Sequence, residues 1–290
     1  MFDSPEARTF DQPSAAAMAS HPASPSPDDL ARMIAAAPAD FALYFDVDGT
    51  LVDIAETPEQ AAAPAELGPD LTALQHHLGG AVAVVTGRRL ADVEMLLAPA
   101  RIAGSGMHGL EFQFPVVQAA DVDDHEGAGI AAARHVAPEQ RLPATLVDGV
   151  ARLAASIPGL RLEQKGPILT VHYRQVPTAG SRVAAALAVL IADHGEGYHL
   201  KPGRAVVELI PDGTSKGTAM ARLLAMSPFA GRRPVMFGDD RADEDAFAVA
   251  RAAGGYGLRV AGEHFNRGDE PFRGAPHVRA WIAMLNGRLA

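Results

Sequence analysis

Four short apolar runs, residues 41–47, 81–85, 234–237 and 256–260, recur along the chain, punctuated by Gly, Asp or Thr. Runs of that length suit strands buried on both faces of a parallel sheet. Between them the period changes. Leu67, Leu71, Leu74 and Leu78 fall on one helical face, as do Val93, Leu96 and Leu97, and later Met220, Leu223 and Leu224. Strand alternating with helix predicts an α/β fold with a doubly wound, parallel-sheet core.

The middle of the chain has another rhythm. Residues 110–117 alternate polar and apolar, and Asp121-Val122-Asp123-Asp124-His125-Glu126-Gly127 then breaks the pattern. Leu146, Val147, Val150 and Leu153 mark one helix and Val183, Leu187, Leu190 and Ile191 a second, with half-polar, strand-like runs at 160–164, 168–173 and 205–210. Two helices with such strands predict an α+β unit on an antiparallel sheet. The expected division is a core of residues 39–115 and 206–290, with an inserted α+β cap of residues 116–205. Residues 1–38 include Ser20-His21-Pro22-Ala23-Ser24-Pro25-Ser26-Pro27 and are expected to be a disordered tail, because repeated prolines remove backbone donors and block helix.

Composition narrows the partners. At 48% hydrophobic and 21% charged residues the chain reads as globular, and its net charge of −10 gains nothing from counterion release on nucleic acid. An anionic membrane surface would repel it. With no cysteine there is no disulfide, thiol nucleophile or Cys-based zinc site. Asp3 and Glu6 stand where a signal peptide needs a basic start, and no run approaches transmembrane length. These features predict a cytoplasmic protein with a small-molecule partner and neither nucleic acid nor membrane, acting as a monomer or at most a weak dimer. An anionic ligand would have to be met by local cations.

The candidate chemistry lies where residues 41–45 run into Asp46-Val47-Asp48-Gly49-Thr50. In open α/β sheets, ligands bind beyond the carboxyl ends of the strands. Side chains two apart on extended backbone point the same way, so Asp46 and Asp48 face one crevice. Two carboxylates at about 4 Å repel by about 4 kcal/mol at an effective dielectric near 20. A divalent cation, or protonation of one acid, relieves that. Gly49 permits a turn closed to other residues.

That segment resembles the first motif of the haloacid dehalogenase-type phosphatases. Thr86-Gly87-Arg88, Lys216 within Gly213-Thr214-Ser215-Lys216-Gly217, and Gly238-Asp239-Asp240 with Asp243 downstream resemble the other three motifs, in order. Singly, each has a bland reading: a strand-to-helix turn, a solvated lysine at a helix start, an acid cluster favoured by a helix dipole. The resemblance implies Mg²⁺ held by Asp46, the backbone carbonyl of Asp48 and Asp239, with Asp240 and Asp243 behind them. It further implies Asp46 as nucleophile, Asp48 as proton shuttle, the Thr86 hydroxyl on the phosphoryl group, Lys216 neutralising phosphate charge, and Gly87 and Arg88 at the substrate.

The inserted region sharpens the resemblance. Gly106-Met107-His108-Gly109, Lys165-Gly166, His172-Tyr173-Arg174 and the run Gly203…Glu208…Gly217 are similar to the trehalose-6-phosphate phosphatases. The likeness implies that His108, Lys165, His172, Arg174 and Glu208 contact the sugar. Ala242 departs from the Thr common there, and Thr86 from the commoner Ser. Rival expectations are a capped phosphatase for sucrose phosphate or a glycosyl-glycerate phosphate, and a catalytically silent sugar-phosphate sensor. Other motifs lead nowhere. Gly104-Ser105-Gly106-Met107-His108-Gly109 matches a dinucleotide fingerprint, but a strand pattern follows it rather than a helix. His76 and His77 are adjacent and so diverge on a helix.

Overall fold

The computed structural model describes residues 24–55, 57, 60–115, 132–136, 142–203, 205–262, 264–266 and 268–290. The first apolar run forms β1 (Phe41–Phe45), buried at every position. It lies between β2 (Val82–Val85) and β10 (Arg233–Gly238), and β3 (Ala103–Gly106), β4 (Glu111–Pro115), β5 (Ala132–Val136) and β11 (Tyr256–Arg259) complete a seven-stranded sheet. Its order is β11-β10-β1-β2-β3-β4-β5. Pairing is parallel from β11 through β3 and antiparallel at β4 and β5.

Helices α1 (Pro27–Ala36), α2 (Leu67–His77) and α8 (Ala275–Leu289) pack as one group. A second group is α6 (Lys216–Leu224) with α7 (Glu244–Ala252), while α3 (Leu90–Leu96) packs against β3 and β4. This is the expected α/β architecture. Its useful consequence is local. Chain order reverses across β1 and β10, and the register Phe45↔Phe237 and Phe45↔Val84 brings the carboxyl ends of three strands side by side. Asp46, Thr86 and Asp239 follow those ends directly.

The inserted unit has a four-stranded antiparallel sheet of order β6-β7-β9-β8, made of β6 (Arg161–Lys165), β7 (Ile168–His172), β8 (Tyr198–Gly203) and β9 (Val206–Pro211). Helices α4 (Ala144–Ser156) and α5 (Gly180–His194) complete it. Leu146, Val150, Val171, Val183, Leu187 and Leu209 form its own core. A small cluster of Met107, Leu110, Ile168 and Ile210 joins it to the larger unit.

Two expectations need correction. Residues 24–38 are not a structureless tail. Pro27–Ala36 is a helix capped by Ser26, it buries Leu30, Ala31 and Ile34, and the Trp281 indole donates to the Pro27 carbonyl at 2.8 Å. Pro27 sits in the first turn, where a missing amide costs nothing, so this proline starts a helix instead of blocking one. The division at 116 and 205 also shifts, because β5 pairs in the larger sheet and β9 in the smaller. Register is a tertiary property that a short run does not carry alone. A strand that no run announces is Ala103–Gly106, with almost no side chains to signal it. A Cβ on Gly104 would come within 2.6 Å of Val84, so close packing requires glycine there. The rest of the expected tail, residues 1–23, and the acidic break at 121–127 lie outside the described residues. Among the described residues, no helix is long and apolar enough to cross a membrane.

Candidate active site

After β1 the chain turns sharply. The Asp46 amide donates to the Phe237 carbonyl at 2.9 Å, and the Gly49 amide to the Val52 carbonyl at 2.7 Å. Gly49 has φ +82°, and a Cβ there would meet the Asp239 carboxylate at 2.0 Å. Only glycine lets these two acidic loops approach so closely.

Lys216 opens α6 behind a capping box formed by Ser215 and Thr218. Its Nζ lies 2.8 Å from Asp46 Oδ1 and 2.6 Å from Asp243 Oδ1. Asp46, Asp239 and Asp243 are all buried, and one oxygen of each lies within 4.8 Å of the others. Burial pushes the Asp46 carboxyl well up, partly opposed by Lys216 and reinforced by Asp243 and Asp239. Burial and then Asp243 push Asp239 up to about 7. Asp243 is likewise raised by burial against the pull of Lys216. Burial alone would lower the Lys216 pKa, but Asp243 and Asp46 outweigh it and the net shift is upward. Three carboxyls against one ammonium leave an oxygen-only donor set with excess negative charge. That set suits a hard divalent cation, not a thiophilic metal. Asp243, expected to stand behind the ligands, is therefore a full member of the cluster. Asp240 caps the following turn and meets His264 Nδ1 at 3.2 Å.

The second loop follows β2. Thr86 is buried and its Oγ1 accepts from the Arg88 amide at 3.1 Å. The Arg88 guanidinium takes both Asp48 oxygens, Nε to Oδ2 and Nη2 to Oδ1, each at 2.6 Å. Asp48 thus turns to Arg88, while Asp46 turns to Lys216. Glu111 holds this loop from behind, its Oε2 accepting from the Leu90 amide at 2.7 Å.

His108 crosses from the core to the insert. Its backbone is left-handed (φ 55°), its amide donates to the Thr86 carbonyl at 3.1 Å, and its ring covers Gly87. Nε2 lies 2.9 Å from Glu208 Oε2, and Nδ1 lies 3.3 Å from Lys201 Nζ. Burial lowers the His108 pKa more than Glu208 raises it. For Glu208, burial pushes the carboxyl up, but His108, Lys165 and Lys201 together hold it below its usual range.

Across the insert's sheet, Glu163 ties two expected residues together, reaching Lys165 Nζ and His172 Nε2, each at 3.1 Å. The structure thus gathers Asp46, Lys216, Asp239 and Asp243, then Asp48 with Arg88, then Thr86, Gly87, His108 and Glu208, and lastly Lys165 with His172 through Glu163. Arg174 departs from expectation. Strand β7 ends at His172, and Arg174 sits exposed in the following turn rather than on the same strand face. Glu163, Lys201 and Glu111 belong to none of the sequence motifs that carry a role. Glu163 shows itself only through pairing, and Lys201 precedes a proline that reads as loop, although an edge strand tolerates it.

The family model described as trehalose-phosphatase matches residues 44–273, spanning every one of these residues. The chain belongs to the trehalose-phosphatase family. It is thereby a phosphoric monoester hydrolase. Among the family's curated members, the probable trehalose-phosphate phosphatase of Sinorhizobium fredii is 36% identical over 223 residues, 76% of this chain and 77% of its own. The trehalose-6-phosphate phosphatase of Escherichia coli is 32% identical over 259 residues, covering 87% of this chain and 88% of its own. A solved trehalose-phosphatase fold, the C-terminal domain of the C. albicans trehalose-6-phosphate phosphatase, superposes with a TM-score of 0.68 at 21% identity, covering 89% of this chain and 96% of that one.

Proposed function

We propose that this chain hydrolyses trehalose 6-phosphate to trehalose and phosphate through an aspartyl-phosphate on Asp46, with Mg²⁺ as cofactor. The observation that carries the reading is the buried Asp46 carboxylate, 2.8 Å from Lys216 and grouped with Asp239 and Asp243 beyond the carboxyl ends of the central strands. The names of the curated relatives support the substrate.

Asp46 attacks phosphorus, and the P–O bond to the sugar breaks as the new P–O bond forms. Asp48 protonates the departing sugar oxygen and then takes a proton from the water that releases phosphate. Lys216 offsets the meeting of an anionic nucleophile with a dianionic phosphate. The Thr86 hydroxyl and nearby amides hold the phosphoryl oxygens. Asp46, the Asp48 carbonyl and Asp239 would hold Mg²⁺, with Asp240 and Asp243 beside them, and the ion would add positive charge where phosphate charge builds. Gly87, Arg88 and His108 line the approach, and Lys165, His172 and Glu208 read the disaccharide.

A phosphate-release panel with and without Mg²⁺ tests this. Trehalose 6-phosphate should be turned over far faster than sucrose 6-phosphate or a glycosyl-glycerate phosphate, and only with the metal. Comparable rates on sucrose 6-phosphate and trehalose 6-phosphate would overturn the substrate. Undiminished phosphate release by Asp46→Asn would overturn the nucleophile.

A further inference from the structure

Glu163, Thr170, Glu208 and Lys201 are successive register partners across β6, β7, β9 and β8. Directly paired residues share a sheet face, so the four form one polar row. Thr170 Oγ1 lies 3.4 Å from Glu208 Oε1 within it. The row ends on Lys201, whose role the proposed reaction leaves open.

His108 is the core's contact with that row. It is 6% exposed, and both ring nitrogens are engaged, Nδ1 by Lys201 Nζ at 3.3 Å and Nε2 by Glu208 Oε2 at 2.9 Å. An ammonium donates and cannot accept. Nδ1 therefore accepts, and a neutral ring carries its proton on Nε2, donating to Glu208. In the other tautomer the Nε2 lone pair would face a carboxylate, two acceptors in contact with no proton between them. Burial lowers the His108 pKa, in keeping with a neutral ring. The same residue is tied to the phosphate-side loop, through its amide on the Thr86 carbonyl and its ring over Gly87, where a Cβ would come within 2.7 Å of Nε2.

We propose that Lys201 is a positioning residue for the disaccharide: by holding His108 in the Nε2–H tautomer it aims the Glu208 carboxylate. The inference rests on the proposed assignment of Glu208 to the sugar. Lys201→Met removes the donor and frees the ring to place its proton on Nδ1. Glu208 then loses its partner and the sugar loses a fixed acceptor, while the machinery around Asp46 is untouched. Arginine at the same position still donates.

The experiment uses the full chain. ¹⁵N NMR of the imidazoles, with His108 assigned by comparison with His108→Gln, reports the tautomer without any turnover. Steady-state kinetics of wild type, Lys201→Met and Lys201→Arg are measured on trehalose 6-phosphate and on p-nitrophenyl phosphate, which has no disaccharide. The wild type is expected to show the Nε2–H tautomer, and Lys201→Met a shift toward Nδ1–H. Lys201→Met should raise KM for trehalose 6-phosphate by about tenfold, with kcat changed less than about threefold, as loss of a binding contact predicts. Turnover of p-nitrophenyl phosphate should not change, and Lys201→Arg should stay within about threefold of wild type. A wild-type ring protonated on Nδ1 overturns the proposal, as does an equal loss on both substrates or no loss on either. If wild type hydrolyses p-nitrophenyl phosphate but not trehalose 6-phosphate, the substrate reading fails instead, and the tautomer of wild type against Lys201→Met still decides the role of Lys201.

Discussion

Arg88 grips both carboxylate oxygens of Asp48 at 2.6 Å, so the proposed proton shuttle is oriented by the very loop that carries Thr86. A bidentate guanidinium fixes the plane of the carboxylate, which an ammonium cannot do. Arg88→Lys should therefore lower kcat by about a hundredfold, the low end of the usual range for general acid–base contributions, with an unchanged circular dichroism spectrum. Equal kcat for the two proteins would mean that the pair is incidental.

Asp46→Asn should reduce turnover by more than about a thousandfold, the scale on which removal of a nucleophile is felt. Phosphate release and trapping of labelled enzyme after an acid quench measure it. Labelled phosphoenzyme persisting in this variant would place the nucleophile elsewhere.

Metal binding should depend on pH. Burial and Asp243 raise Asp239 to about 7, so in the metal-free protein its favourable contribution is present at low pH and lost as pH rises through about 7. A cation that neutralises the cluster acts on the ionised form. Addition of Mg²⁺ should raise Tm more at about pH 8 than at about pH 5.5. A gain independent of pH would argue against the Asp46, Asp239 and Asp243 cluster as the site.

Glu163 gives the opposite sign. The hydrogen bond to His172 and the charge of Lys165, working against burial, hold it at about 2, below its usual 4.5. Its contribution is present above 4.5 and is lost as pH falls toward about 2. In Glu163→Gln that segment of the stability–pH curve should flatten, and KM for trehalose 6-phosphate should rise. Parallel acid-unfolding curves for the two proteins would count against the contacts with Lys165 and His172.

Helix α1 should matter to stability and not to chemistry. Leu30 is fully buried, so Leu30→Ala should cost about 2–4 kcal/mol in urea unfolding while leaving KM unchanged. A cost near zero would return residues 24–38 to the tail.

The sequence alone determined the reaction end of this protein. Asp46, Thr86, Lys216 and Asp239 each follow a strand or open a helix, and short apolar runs with the period of buried strands announce those positions before any contact is known. Gly49 belongs with them, because its residue type alone implies the turn it makes. The tertiary structure alone decided the partnerships. Asp243 joins Asp46 and Asp239 in one cluster, Asp48 faces Arg88 instead of Asp46, and β5 pairs in the larger sheet although its residues fell within the expected cap. Glu163 and Lys201 acquire meaning only through the register that lines them up with Glu208. The reason is physical. A strand's hydrophobic period is local and written in consecutive residues, whereas pairing and charge contact depend on which segments meet after folding, and a residue's neighbours in space leave no mark on its neighbours in sequence.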